Sequence, residues 1–279
     1  MNILVAYRGI PQSPGRADGD SMVRALRRLG HNAQPYAKVY QNNEWLPREE
    51  IAPDLLIRME CCDNDPQYEE LFDLDCPRVY WEFDTATHRE WSEWWSSRGW
   101  DKVFMANPKE IRGKLAGATY LPYGVDDQIF YPRAEQDQRG GIACIGHRFD
   151  ERVKFCEEAG VSLISGIYGD AYAEAMGMLE VSVHHYDSGG DGLLVGRIWE
   201  SLASGCILLT PDGPTLQRHF EDRKHLITYT DADDCRNIID RLKEWPDLGF
   251  LVAKQGMKEV QSKHTFVARA RAILAEVGL

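Results

Sequence analysis

The chain has 279 residues, 43% hydrophobic and 27% charged, enough for two domains with separate cores and far from a disordered composition. Forty-four acidic against 32 basic side chains leave a net charge of -12, which argues against a protein that grips nucleic acid mainly through its phosphates. Seven cysteines, at 61, 62, 76, 144, 156, 206 and 235, fall into no metal-ligand spacing, and an odd number of thiols with several in apolar runs fits a reducing compartment.

The start, MNILVAY, reads as a strand (residues 3–7) with no basic n-region of a secretory signal. No 18 apolar residues run uninterrupted, so no transmembrane helix is predicted and a cytoplasmic location is expected. A Gly/Pro-containing loop (9–19) leads to a helix near 20–29 that Gly30 stops. Strands are predicted at 54–59, 78–83, 102–106 and 119–122, with a polar-aromatic helical stretch at 88–100. The polar run YPRAEQDQRGG (131–141) reads as an inter-domain linker.

The alternation then restarts: strand 142–145, helix 150–159, strand 162–167, helix 171–178 and strand 181–185. Glycines at 189, 190, 192 and 196 precede GRIWESLASGCILLT (196–210). In that stretch Gly205 is placed to end a helix in the left-handed conformation, and 206–209 reads as a buried parallel strand. A strand at 226–229 and helices at 232–245, 250–262 and 266–277 close the chain. The cadence predicts two doubly wound α/β domains, 1–133 and 140–265, with 266–279 a C-terminal helix placed to pack back on the first. Such domains face a central cleft with strand C-terminal ends pointing into it.

Four landmarks in order carry a resemblance. LPYGVDDQIFYP (121–132) resembles the segment that closes the N-terminal domain of GT-B-fold glycosyltransferases in the CgeB-like, group 1-like branch, and CIGHRFDERVKF (144–155), GRIWESLASGCILLT, and HLITYTDADD (225–234) followed by SKHTFVARARAIL (262–274) resemble their C-terminal domain. The resemblance covers the second half well and the first half only by layout. It implies transfer of a sugar from a nucleotide-sugar donor on the C-terminal domain to an acceptor hydroxyl on the N-terminal one, with retention. No metal or other cofactor is implied, because a cationic side chain and helix N-terminal amides can neutralise a diphosphate leaving group.

Glu200 matches the family glutamate that binds the donor ribose; read from the residues alone, it is equally a solvated helix charge. Relatives carry a second glutamate eight residues earlier, where this chain has Gly192, leaving Asp187, Asp191 or glycine-loop amides around Gly196 to hold the sugar. Arg197 sits one turn before Glu200 and reads as a diphosphate ligand or as an ion pair with it. Arg148, Arg152 and Lys154 follow the 142–145 strand; Arg148 is the first choice for the diphosphate because it lies in the loop, and Lys154 has the spacing relatives use for a phosphate pair. Arg152 and Lys154, two residues apart, cannot share a helix face. Of His184 and His185, alternation buries one, and His185 is assigned to the donor pocket.

In the first domain, Gly9 ends the opening strand, where it either admits the donor phosphates or serves as a tight exit. Asp84 and His88 are assigned to orienting or deprotonating the acceptor hydroxyl, with helix capping the competing role for Asp84. Two Asp-x-Asp spacings, 63/65 and 73/75, arise readily in so acidic a chain and are assigned no metal. The acceptor stays open among a glycan, a protein, a small molecule and, ranked lower by charge, modified DNA. A nucleotide-sugar epimerase and a non-catalytic nucleotide-sugar-binding protein are the rival readings.

Overall fold

The computed structural model describes residues 1–8, 17–39, 44–45, 52–59, 66–83, 97–106, 117–185 and 194–279. They form two compact units: Met1–Tyr123 together with Phe266–Leu279, and Gly124–Thr265.

In the first unit, strands β1 (Asn2–Arg8), β2 (Asn32–Val39), β3 (Glu44–Trp45), β4 (Leu55–Met59), β5 (Arg78–Glu82), β6 (Lys102–Met105) and β7 (Thr119–Tyr120) build one sheet in the order β3-β2-β1-β4-β5-β6-β7. All neighbours are parallel except β2 and β3. β2 lies outside the strands predicted above because its sequence, NAQPYAKV, is polar and contains Pro35. Its partner β1 supplies the register instead, pairing Val5 with Pro35. One face of the sheet packs Ile3, Val5, Ile57 and Trp81 against helix α1 (Asp18–Arg28) and the C-terminal helix, residues 266–276. Phe266, Ala270 and Ile273 of that helix are buried, and each larger side chain contributes about 1.5–3 kcal/mol relative to exposure. Buried Arg269 ties the helix down, donating from Nε to the Pro122 carbonyl at 2.7 Å and from Nη2 to that of Tyr123 at 2.8 Å. Trp100 stacks on Tyr80 with ring centroids 5.4 Å apart, a core role; Trp91, Trp94 and Trp95 lie outside the described residues.

The second unit holds β8 (Ile142–Ile145), β9 (Ser162–Ile164), β10 (Val181–Val183), β11 (Ile207–Pro211) and β12 (Ile227–Tyr229), all parallel, in the order β12-β11-β10-β8-β9. Its helices are α2 (Asp150–Ala159), α3 (Gly169–Met178), α4 (Gly196–Ala203), α5 (Ala232–Glu244) and α6 (Pro246–Lys263); the C-terminal helix Phe266–Glu276 of the first unit is α7. Strand order reverses between β8 and β10, which makes the crevice beyond their C-terminal ends the topological switch point. Gly205, at φ +74°, ends α4 as the sequence requires, and the Cys206 amide closes the turn on the Ser201 carbonyl at 3.1 Å. β11 then runs inside the sheet between β12 and β10, with Ile207 to Thr210 fully buried.

The break between units differs from the predicted linker. The chain from 124 onward is already folded onto the second unit: the Val125 amide donates to the His264 carbonyl at 3.0 Å and the Arg133 amide to that of Gly177 at 3.0 Å. The units divide at Tyr123/Gly124 and again at Thr265/Phe266, so 124–133 goes with the second unit and 266–279 with the first. The polar composition of 131–141 reflects a surface strap: a Cβ on Gly177 would come within 2.3 Å of Arg133 Cγ and 2.8 Å of the Tyr131 carbonyl oxygen.

Candidate functional site

At the end of β8 the backbone turns at Gly146, and two guanidinium groups converge there. A Cβ built on Gly146 would lie 2.9 Å from Arg152 Nη1 and 3.0 Å from Arg197 Nη1. Arg152 reaches this point because α2 turns Arg152, Phe155, Cys156 and Ala159 inward as one stripe. Its Nη1 donates to the His147 carbonyl at 2.8 Å and its Nη2 to that of His185 at 3.3 Å, which bridges the ends of β8 and β10. Arg197 comes from the first turn of α4, where the leading amides lie outside the helix's own ladder and that of Ile198 donates to the Val195 carbonyl at 3.1 Å.

The surrounding groups register this positive charge. His184 is buried, and burial, followed by Arg197 and Arg152, holds its pKa well below the usual histidine value, so the ring is neutral. A hydrogen bond from Cys156 lowers the Cys144 thiol against the effect of burial, and both arginines pull the same way. Half-buried His185 stacks on Phe155 at 3.9 Å between centroids and 6° between planes. Its Nδ1 is 3.2 Å from the Tyr229 hydroxyl, which donates to the His184 carbonyl at 2.8 Å. The imidazole is thereby held as a fixed wall at the end of β10.

One turn along α4 from Arg197, the Tyr172 hydroxyl of α3 donates to Glu200 Oε2 at 2.5 Å. Burial raises the Tyr172 pKa well above 10 and the Glu200 charge adds to it, while Arg197 opposes both. The Tyr172 ring is fixed edge-on against Phe130 at 5.6 Å. Tyr172 thus links the carboxylate and the guanidinium.

The residues singled out in the sequence therefore separate. Gly196, Arg197, Glu200 and His185 gather around the ends of β8 and β10 with Arg152. Arg148 is exposed in the loop between β8 and α2. Lys154 points into solvent, 75% exposed, 3.8 Å from Glu158 on the outer face of α2. Gly9, Asp84 and His88, together with Asp187, Asp191 and Gly192, lie outside the described residues. Tyr172 carried no signal in the sequence, because only the packing of α3 beside α4 brings it to Glu200. Arg152 did carry one: it occupies the first position of the 152/155/156/159 apolar stripe, where a charged side chain is out of place. Among the described residues no three His, Cys, Asp or Glu side chains gather as a metal set, and no helix is long and apolar enough to cross a membrane.

The family model described as "Glycosyl transferase-like" matches residues 127–275, more than half of the chain. The chain belongs to this group 1 glycosyltransferase family. No curated protein matches it in sequence. Among solved structures, this glycosyltransferase is similar to an alpha-glucosyltransferase in complex with UDP-glucose and DNA containing an abasic site, at TM-score 0.70 and 10% identity with all of both chains covered. It is also similar to sucrose-phosphate synthase from Thermosynechococcus elongatus, at TM-score 0.68 and 13% identity over 98% of each chain. A third likeness is to HepE from Anabaena in complex with UDP and glucose, at TM-score 0.65 and 10% identity over 99% of each chain. The fold of this glycosyltransferase is GT-B.

Proposed function

We propose that the enzyme moves a sugar from a nucleoside diphosphate sugar to an acceptor hydroxyl, with retention at the anomeric carbon and on a CgeB-like plan. The observation that carries the donor assignment is the convergence of Arg152 and Arg197 on Gly146 at the switch point, with Glu200 one turn further on. A diphosphate that leaves as the glycosidic bond breaks gains negative charge. Two prepositioned guanidiniums and the leading amides of α4 stabilise that charge without reorganising during the reaction. Glu200, positioned by the Tyr172 hydroxyl, accepts from the ribose hydroxyls. His185, fixed flat on Phe155, walls the donor, and Gly196 lets it approach the start of α4.

Arg148, exposed in the loop after β8, is placed to close over the outer phosphate. Lys154 would need a rotation of α2 to take part. Complexes of structural neighbours with UDP and UDP-glucose favour a uridine donor. The second unit carries the donor and the first the acceptor, and Gly9, Asp84 and His88 keep the roles that the family resemblance implies for them. The acceptor itself is unassigned. All five described cysteines are free thiols, which fits a reducing, cytoplasmic setting.

The test is calorimetric titration with UDP, followed by NMR of the product anomer from a panel of UDP-sugars. Glu200→Gln keeps an acceptor for Tyr172 and removes the charge, and it should weaken UDP binding by about tenfold. Unchanged UDP affinity in this variant would overturn the ribose assignment. Interconversion of the nucleotide sugar without any acceptor would replace transfer by an epimerase reading.

A further inference from the structure

The second unit has another concave site, at the opposite end of its strands. An open groove of about 740 Å³ runs between the 132–139 strap and α6, with Gly205 at its floor. That volume suits a small metabolite. Gly205 precedes β11 and residue 139 precedes β8, so the groove lies at the N-terminal ends of the strands whose C-terminal ends hold Arg152 and Arg197. The length of β8 and its flanks separates the two by roughly 15 Å.

Its polar groups are unusual for a surface furrow. Arg139 is 8% exposed and lies flat against Gly205, where an added Cβ would be 3.0 Å from both Nη1 and Nη2. Nε donates to the Ala134 carbonyl at 3.1 Å and Nη1 to that of Gly205 at 2.6 Å. No carboxylate lies within ion-pair distance of it among the described residues, and Nη2 keeps unused donors. A buried guanidinium with only neutral partners is costly unless an anion completes it. Beside it the Gln136 side-chain amide nitrogen is buried with no hydrogen-bond partner. Lys254 of α6 borders the same groove, exposed and outside any ion pair among the described residues. Phe250, Ala253 and Met257 provide an apolar wall, and Glu135 is the single acidic side chain in the lining.

We propose that this groove binds a small organic phosphate, its phosphoryl oxygens on Arg139 and Gln136 and its apolar portion along Phe250 and Met257. Arg139, Lys254 and the unpaired amide donor match a dianion better than a monoanionic carboxylate, and the third cation of the lining, Arg133, is engaged by the Tyr131 hydroxyl and the Ile129 carbonyl. The groove sits where bound ligand would brace Gly205, the residue that ends the helix bearing Arg197 and Glu200.

Calorimetry with phenyl phosphate on the full chain tests the proposal. Saturable one-to-one binding is expected, unaffected by saturating UDP. It should weaken about tenfold in Lys254→Glu and a few-fold in Gln136→Leu. These two variants carry the test because Arg139→Leu also removes the bonds that hold Gly205 and Ala134. Absence of saturable binding would overturn the site, as would displacement by UDP or affinity unchanged in both variants. Equal affinity for phenylacetate would overturn the phosphate assignment.

Discussion

The two units share a layout and differ in what they put at the switch point. Each is a doubly wound sheet whose strand order reverses once, between β1 and β4 in the first and between β8 and β10 in the second. At the end of β8 the converging groups are cationic, buried Arg152 and half-buried Arg197 around Gly146. At the end of β1 they are carboxyl and phenol: Tyr7 donates to Asp20, and Tyr123 donates to Asp18 at 2.7 Å, both on the first turn of α1. Further along the same sheet, buried Glu82 accepts from Tyr80. One fold can therefore present opposite electrostatics at equivalent places, because the strand ends fix the location and the local side chains fix the sign. A positive switch point suits an anionic leaving group, and a carboxyl–phenol one suits neutral hydroxyls.

The most severe way to break this contrast is to remove charge from the second unit. Arg197→Met should lower kcat/KM by about a hundredfold or more, as removal of a transition-state charge contact does. Steady-state kinetics with a UDP-sugar will show it, and a loss under threefold would take Arg197 out of the donor site. In the first unit, burial raises the Asp18 carboxyl from 3.8 to about 6, with Asp20 adding to the rise and the Tyr123 hydrogen bond opposing it. The folded state therefore holds this proton more tightly than the unfolded chain, so stability falls as pH rises from about 4 to about 6 and stays lower above that. Asp18→Asn keeps an acceptor for Tyr123 and should recover up to about 3 kcal/mol above pH 6 and nothing below pH 4. Thermal melts at pH 4 and pH 7.5 measure the difference, and a gain independent of pH would contradict the sign.

Gly146→Ala sharpens the comparison with little effect on the fold. The added methyl would meet only the ends of two flexible side chains, so it should displace both guanidiniums, raise KM about tenfold and leave the melting temperature within a few degrees. The smallest effect is expected for Lys154→Ala. Its side chain is solvated beside Glu158, and activity should change less than twofold. A large loss there would show that α2 repositions when donor binds.

Much of this was legible along the chain. The left-handed Gly205, the buried strand after it and the alternation of the second unit all follow from local chemistry that tertiary contacts reinforce. What failed to read out was local composition overruled by neighbours. β2 is a strand despite Pro35 because β1 offers a full parallel edge, and the 131–141 strap is polar because it is exposed, not because it joins two bodies. In the candidate site Lys154 matched a spacing, but the inward stripe of α2 selects Arg152, two residues and about 200° away on the helix.

The sequence by itself determined the class of the chain and the elements that carry its chemistry: a doubly wound doubling, the GRIWESLASGCILLT helix and strand, and Arg197 one turn before Glu200. Those are local or periodic properties, set within a few residues. Only the tertiary structure decided which cation joins Arg197, that Tyr172 holds Glu200, and that Arg139 lies buried at the other end of the same strands without a carboxylate. Each of these is a meeting of distant segments, and the spacing of residues along a chain does not encode which segments the sheet order will make neighbours.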